Sequence, residues 1–140
     1  MNKRKVQSVI FYCDASNKKH FLLLLVNQER GLFWQNSTGG VEENESFKEA
    51  AVREAKEETN ITDDLIQNIT ETDIFFEFHD RWGCDVYEKV FFIRAKRPWD
   101  ILLDPSEHVE YKWIEDKDLS EDTVLFESNL QALLECKELK

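Results

Sequence analysis

Proline and glycine are scarce, with two prolines and four glycines in 140 residues. They build no Pro/Gly/Ser linker, and no internal repeat or low-complexity tract interrupts the chain. A chain of this length buries roughly two thirds of its unfolded surface around one core, so a single domain over residues 1–140 is expected. Cysteine is sparse too. Cys13, Cys84 and Cys136 are widely spaced and form no CxxC pair, which excludes zinc or dithiol chemistry at such a motif and fits a reducing compartment. The longest apolar run, Phe21 to Val26, has the length of a strand and falls far short of the ~20 residues of a membrane span. The opening MNKRKVQSVIFY is basic but lacks the apolar core and small-residue cleavage site of a secretory signal, so a cytoplasmic protein without membrane association is expected. Cations are outnumbered: 18 basic against 29 acidic side chains give a net charge of −11. That charge repels a phosphate backbone and offers no basic stripe, so no nucleic-acid partner is expected. A small polyphosphate can still bind if cations inside a site reverse the local field.

What is present reads as alternating strands and two long helices. Val6–Cys13 and His20–Val26 are β-branched or large apolar stretches separated by the polar cluster DASNKK, the pattern of paired strands. A loop follows in which GLFWQNSTGG holds three of the four glycines. Ser46 to about Asn60 is rich in helix formers, with Asn44 or Glu45 placed to begin the helix and Asn60 to end it. Asp73–His79 and Val86–Lys96 read as strands around the turn DRWGCD, and Val109–Glu115 alternates as another. Glu127–Glu138 repeats Leu130, Leu133, Leu134 and Cys136 at helical spacing. The combination implies an α/β fold with helices packed on a mixed sheet.

One segment of the first helix conflicts with the electrostatics of helices. REAKEE, residues 53–58, places three carboxylates near a C-terminus, where peptide dipoles disfavour negative charge. With Glu54 at zero, Glu58 lies about 40° to one side and Glu57 about 60° to the other, and Phe47, Ala51 and Ala55 mark the same side as interior. Lys56 points away and Arg53 lies about 100° round the helix, so neither is expected to neutralise the cluster. A solvated helix end is one reading of such a run. The other is coordination of a divalent cation, for which oxygen ligands without His or Cys suit Mg²⁺, with Mn²⁺ as the alternative. The flat rings of Phe33, Trp34, Phe76 and Trp82 are candidates to stack on a ligand or to fill the core, and Gln35 and Thr38 are candidates for polar contacts to it.

The spacing around REAKEE is specific. Gly39, five residues, Glu45, seven residues, then Arg53-Glu54-Ala55-Lys56-Glu57-Glu58-Thr59-Asn60-Ile61 closely resembles the Nudix box, GX5EX7REUXEEXGU. One fixed position departs: Asn60 replaces the second glycine, and Asn tolerates the left-handed conformation such a helix end requires. The resemblance implies a Nudix-type α/β/α sandwich and a pyrophosphohydrolase that cleaves a pterin or nucleoside triphosphate by attack of water at phosphorus. It implies Glu54, Glu57 and Glu58 as metal ligands, Arg53 as the residue that holds Glu45 and the loop in register, and Gly39 as a backbone turn beside the substrate. It also implies Glu107, on the loop before VEYKWIE, as a further ligand or general base, which makes Glu57, Glu107 and Arg53 the catalytic candidates. His108 is read as structural. Competing functions are hydrolysis of dinucleoside polyphosphates, nucleotide sugars or RNA 5′ ends, and nucleotide sensing without turnover; a complete set of box acids argues against the last.

Overall fold

A computed structural model of the chain describes residues 2–139. Alternation along its first strands decides the architecture. Strand β1, Asn2–Cys13, turns Val9 and Phe11 to one face and Val6, Ser8 and Ile10 to the other. Its antiparallel partner β2, Lys19–Val26, adds Phe21 and Leu23 to the first face and Leu22 and Leu24 to the second. Because both faces are apolar, both need a cover. Helix α1, Phe47–Thr59, lays Ala50, Ala51 and Ala55 over the Val6/Ile10 face. Helix α2, Glu127–Lys137, lays Ala132, Leu133 and Cys136 over the Val9/Phe11 face. The result is an α/β/α sandwich, in which each fully buried Leu or Phe contributes roughly 1.5–3 kcal/mol. The three alanines of α1 carry no bulk, which brings that helix close to the sheet.

The remaining strands are β3, Trp34–Gln35; β4, Ser37–Gly40; β5, Ile66–His79; β6, Asp85–Ala95; and β7, His108–Glu115. The sheet runs β3-β2-β1-β6-β5, with β4 paired to the first half of β1 and β7 paired to β2. The pairing of β1 with β6 is parallel and the others are antiparallel, so the sheet is mixed as expected.

Several boundaries differ from the sequence reading. Helix α1 is started by Ser46, whose hydroxyl accepts from Glu49 N while the Glu49 side chain accepts from Ser46 N. Neither Asn44 nor Glu45 caps it: Asn44 has φ +64° in the preceding turn, and Glu45 is drawn away to Arg53. Asn60 ends the helix at φ 51°, in the left-handed conformation for which it was chosen. Strand β5 begins at Ile66 rather than Asp73, since its polar first half is an edge whose outward residues need not be apolar, and its register slips between Glu71 and Phe75. The GLFWQNSTGG loop contains β3 and β4; hydrogen bonding to β2 and β1 makes strands of residues too short and small to carry a pattern. Strand β7 begins one residue early, at His108, and α2 ends at Lys137 instead of Glu138.

Candidate active site

Strand β4 and helix α1 meet where the glycine-rich loop passes under REAKEE. Gly39 lacks a side chain at the place where one could not fit: a Cβ there would lie 2.1 Å from Glu54 Cδ and 2.4 Å from its Oε1. The Glu54 carboxylate therefore rests on bare backbone. Two residues earlier, Ser37 donates its hydroxyl to Glu58 Oε1 at 2.6 Å. Glu58 is only 3% exposed, and burial pushes its carboxyl up to about 8, aided by the charges of Glu54 and Glu107 and opposed by the bonds from Ser37 and the Thr38 amide. Burial raises Glu54 as well, against the nearby Arg53 guanidinium, while Glu57 and Glu107 add to the rise.

Arg53 reaches more of this cluster than its helical angle suggests. Nε and Nη2 donate to the two oxygens of Glu45 at 2.8 and 3.0 Å, and Nη2 also donates to the Gly40 carbonyl at 2.8 Å. That forked pair holds the Glu45 carboxyl down to about 2 and ties the loop to the helix. Nη1 meanwhile donates to Glu54 at 2.9 Å and to Glu57 at 3.3 Å. A guanidinium on a three-carbon stem spans the 100° that the wheel assigns, so Arg53 reaches Glu54 and Glu57, although a single positive charge does not balance the three acids. Glu57, with a side chain 57% exposed, is the outermost acid; the three share a side of the helix but not a depth.

These carboxylates are not gathered as a preformed cage. Among the described residues, the group whose ligand atoms lie within 4.8 Å of one another is Asp14, His20 and Glu115, at the opposite end of β1. That group is internally satisfied: Asp14 takes the amides of Ser16 and Lys18 and pairs with His20 at 2.8 Å, and Glu115 pairs with Lys117 at 3.3 Å. The box acids differ in carrying excess like charge. Glu54 and Glu107 add to the proton affinity of Glu58, Glu57 and Glu107 add to that of Glu54, and oxygen-only donors crowded this way fit a divalent cation.

Glu107 sits on the turn before β7, half-exposed, with Arg30 at 3.8 Å, and its charge is felt by both Glu54 and Glu58. Its neighbour His108 is buried. Burial and Arg30 hold that imidazole down to about 4, so the neutral ring accepts from the Gln35 amide at 3.2 Å. Gln35 and Thr38 also line a cavity of about 450 Å³ on the α2 face, walled by Phe76, Phe78 and Phe126. Ser37 and Gly39 face the acids while Thr38 faces this cavity, so β4 is the thin wall between them. Trp34 does not line the cavity; it packs against the core with Lys112 over its ring at 4.2 Å. Phe33 stands edge-on to Phe126 at 5.1 Å, and Trp82 is exposed on a turn between Lys3 and Arg81.

Three buried polar residues escaped the sequence reading: Glu88 in the cavity wall, Gln7 bonded to it, and Ser37 beside Glu58 on the other side of β4. A signal existed for two of them. Gln7 and Glu88 stand in register with Val9 and Phe11 and with Val90 and Phe92, at positions where the alternation calls for apolar side chains.

Likeness to known proteins gives the class: a hydrolase of phosphorus anhydride bonds. The NUDIX domain signature matches residues 3–133, and the chain belongs to the NUDIX family. It is 30% identical over 125 residues to dihydroneopterin triphosphate diphosphatase of Escherichia coli K12, covering 81% of this chain and 79% of that one. It is 31% identical over 114 residues to the asymmetrical bis(5′-nucleosyl)-tetraphosphatase of Caenorhabditis elegans, covering 81% and 80%. The solved structure of the E. coli dihydroneopterin triphosphate pyrophosphohydrolase superposes with a TM-score of 0.77 at 26% identity, covering 94% of this chain and 92% of that one. Among the described residues, no helix is long and apolar enough to cross a membrane.

Proposed function

We propose that this protein hydrolyses a triphosphate carried on a small heterocycle, either dihydroneopterin triphosphate or a nucleoside triphosphate, and releases pyrophosphate. One observation carries the reading: Glu54 rests on Gly39 beside Glu58, whose proton affinity is raised by burial first and by its acidic neighbours in addition. Such an arrangement is unfavourable alone and favourable around a cation. Glu54, Glu57 and Glu58 are the residues that would hold Mg²⁺ or Mn²⁺. The cation, when bound, would neutralise phosphate charge and lower the proton affinity of water.

The chain's own groups supply the rest. Glu107, half-exposed and electrostatically coupled to Glu54 and Glu58, is placed to accept the proton of the attacking water. Arg53 keeps Glu45 and the Gly40 carbonyl fixed, which holds the loop that presents Gly39. Gln35 and Thr38 border the cavity in which the heterocycle would sit, its phosphates crossing the free edge of β4 toward the acids. The likeness to the E. coli enzyme supports the pterin substrate.

A second reading, hydrolysis of a dinucleoside polyphosphate, is favoured by the C. elegans relative. Pyrophosphate release from dihydroneopterin triphosphate and the nucleoside triphosphates, together with mononucleotide formation (ATP and AMP) from diadenosine tetraphosphate, separates the two, run with Mg²⁺ and with chelator. Turnover of a triphosphate with pyrophosphate as product, lost with chelator, is the expected result. Turnover of the dinucleotide alone supports the second reading, and no turnover on the panel contradicts both.

A further inference from the structure

The floor of the α2-face cavity holds a carboxylate that neither the fold nor the metal chemistry uses. Glu88, in β6, is 4% exposed among Phe76, Phe78 and Val90, and burial raises its proton affinity. A charge placed there lowers stability unless something completes its bonding. Within the protein the completion is partial. Gln7 Nε2 donates to Glu88 Oε1 at 2.9 Å, and Gln7 is itself fixed because Asn36 Nδ2 donates to its Oε1 at 2.7 Å. That relay sets which way the Gln7 amide points and so fixes one oxygen of Glu88. The other, Oε2, has Lys5 at 4.0 Å, beyond hydrogen-bond reach. Lys5 and Glu88 are side by side in the register of β1 and β6, and Phe76 is the neighbour of Glu88 across β5 and β6.

The cavity of about 450 Å³ thus offers a donor from Lys5 beside the two carboxylate oxygens of Glu88, walled by Phe76, Phe78 and Phe126. Phe78 and Phe126 remain 40% and 50% exposed, with Phe33 set edge-to-face against Phe126. We propose that Lys5 and Glu88 select a heterocycle whose edge presents a carbonyl oxygen, a ring N–H and an amino group in sequence. Guanine and pterin carry that edge; adenine, cytosine and uracil do not. Two parallel N–H bonds to one carboxylate are charge-assisted and strong in such a site, and a base with a ring acceptor there would face the carboxylate with a lone pair. The proposal rests on the hydrolase reading above and names the substrate class of that same site.

The experiment has a binding arm and a turnover arm. Neopterin, GMP, AMP and UMP are titrated into the chelator-treated protein by calorimetry, and kcat/KM is measured for GTP and ATP with Mg²⁺. Wild type is expected to bind neopterin and GMP at least roughly tenfold more tightly than AMP and UMP, and to prefer GTP by a similar factor. Glu88→Gln, whose amide offers one donor and one acceptor, removes or reverses that preference. Lys5→Met, at a partly exposed position, lowers affinity for GMP and neopterin severalfold with an unchanged melting curve. Equal binding and turnover of all bases by wild type, or a preference retained in both variants, overturns the role of Lys5 and Glu88 while leaving the hydrolase reading intact. Base-selective binding with no turnover of any triphosphate would instead support this pair and contradict the hydrolase reading.

Discussion

The sheet buries one carboxylate under each of its faces, and the two have opposite surroundings. On the α1 side, Glu58 takes a bond from Ser37 but lies within the field of Glu54 and Glu107, so its neighbours add to the effect of burial. On the α2 side, Glu88 has no acidic neighbour acting on it; Lys5 and Gln7 both favour its charged form. The first environment lacks positive charge and the second lacks only hydrogen-bond donors. A cation answers the first, a neutral ring with N–H groups the second. Strand β4, with Ser37 and Gly39 turned one way and Thr38 the other, would let the proposed substrate engage both.

The comparison can be broken most severely on the α1 side. Glu54→Gln should lower kcat by about 10³-fold, the scale expected when several kcal/mol of charge stabilisation is lost, with the fold retained by circular dichroism. Gly39→Ala should cost about 10²-fold, because the new methyl would stand where the Glu54 carboxylate lies and the carboxylate must shift by an ångström or more. Its melting temperature should move little, since the displaced atoms end a flexible side chain. If activity survives with the methyl present, the resting place of Glu54 is irrelevant to the chemistry. On the α2 side the expected effect is smaller, roughly a tenfold change in selectivity for Glu88→Gln with turnover of the disfavoured base little altered.

A pH titration sharpens the contrast without touching activity. The folded protein holds the Glu58 proton to about 8, whereas an unfolded glutamate releases it near 4.5. Between those values the native state binds more protons than the unfolded one, so stability falls as pH rises through the window. Metal-free protein should therefore melt at a lower temperature at pH 8.5 than at pH 6, and Glu58→Gln should flatten the slope. A slope unchanged by that substitution would assign the effect elsewhere.

The acidic face of α1 was more legible in the sequence than the cavity, for a physical reason. REAKEE violates helix electrostatics within six residues, and the fixed spacing from Gly39 through Glu45 to Arg53 lies within a single loop and helix. The cavity is assembled from β1, β4, β5, β6 and the start of α2, and no local pattern announces a meeting of Lys5 with Glu88 across 83 residues of chain. What could be read was the exception to alternation at Gln7 and Glu88, polar groups in apolar register. Trp34 is the reverse case: a large aromatic beside the loop invites a ligand role, and here it is partly buried against the core with Lys112 over its ring. Likewise Ser46 was passed over as the helix cap, because Asn44 and Glu45 are equally acceptable there by composition and only the turn at Asn44 decides among them.

The most direct measurement is calorimetric titration of Mn²⁺ at pH 7 in buffers of different ionisation enthalpy. Burial, aided by the neighbouring carboxylates, holds a proton on Glu58 to about 8, so a cation that displaces it should release close to one proton per protein, with both binding and release lost in Glu58→Gln and unaffected by His20→Ala. Binding without proton release, or binding that persists in Glu58→Gln and vanishes in His20→Ala, would put the ion at the Asp14 end of β1 and contradict the assignment.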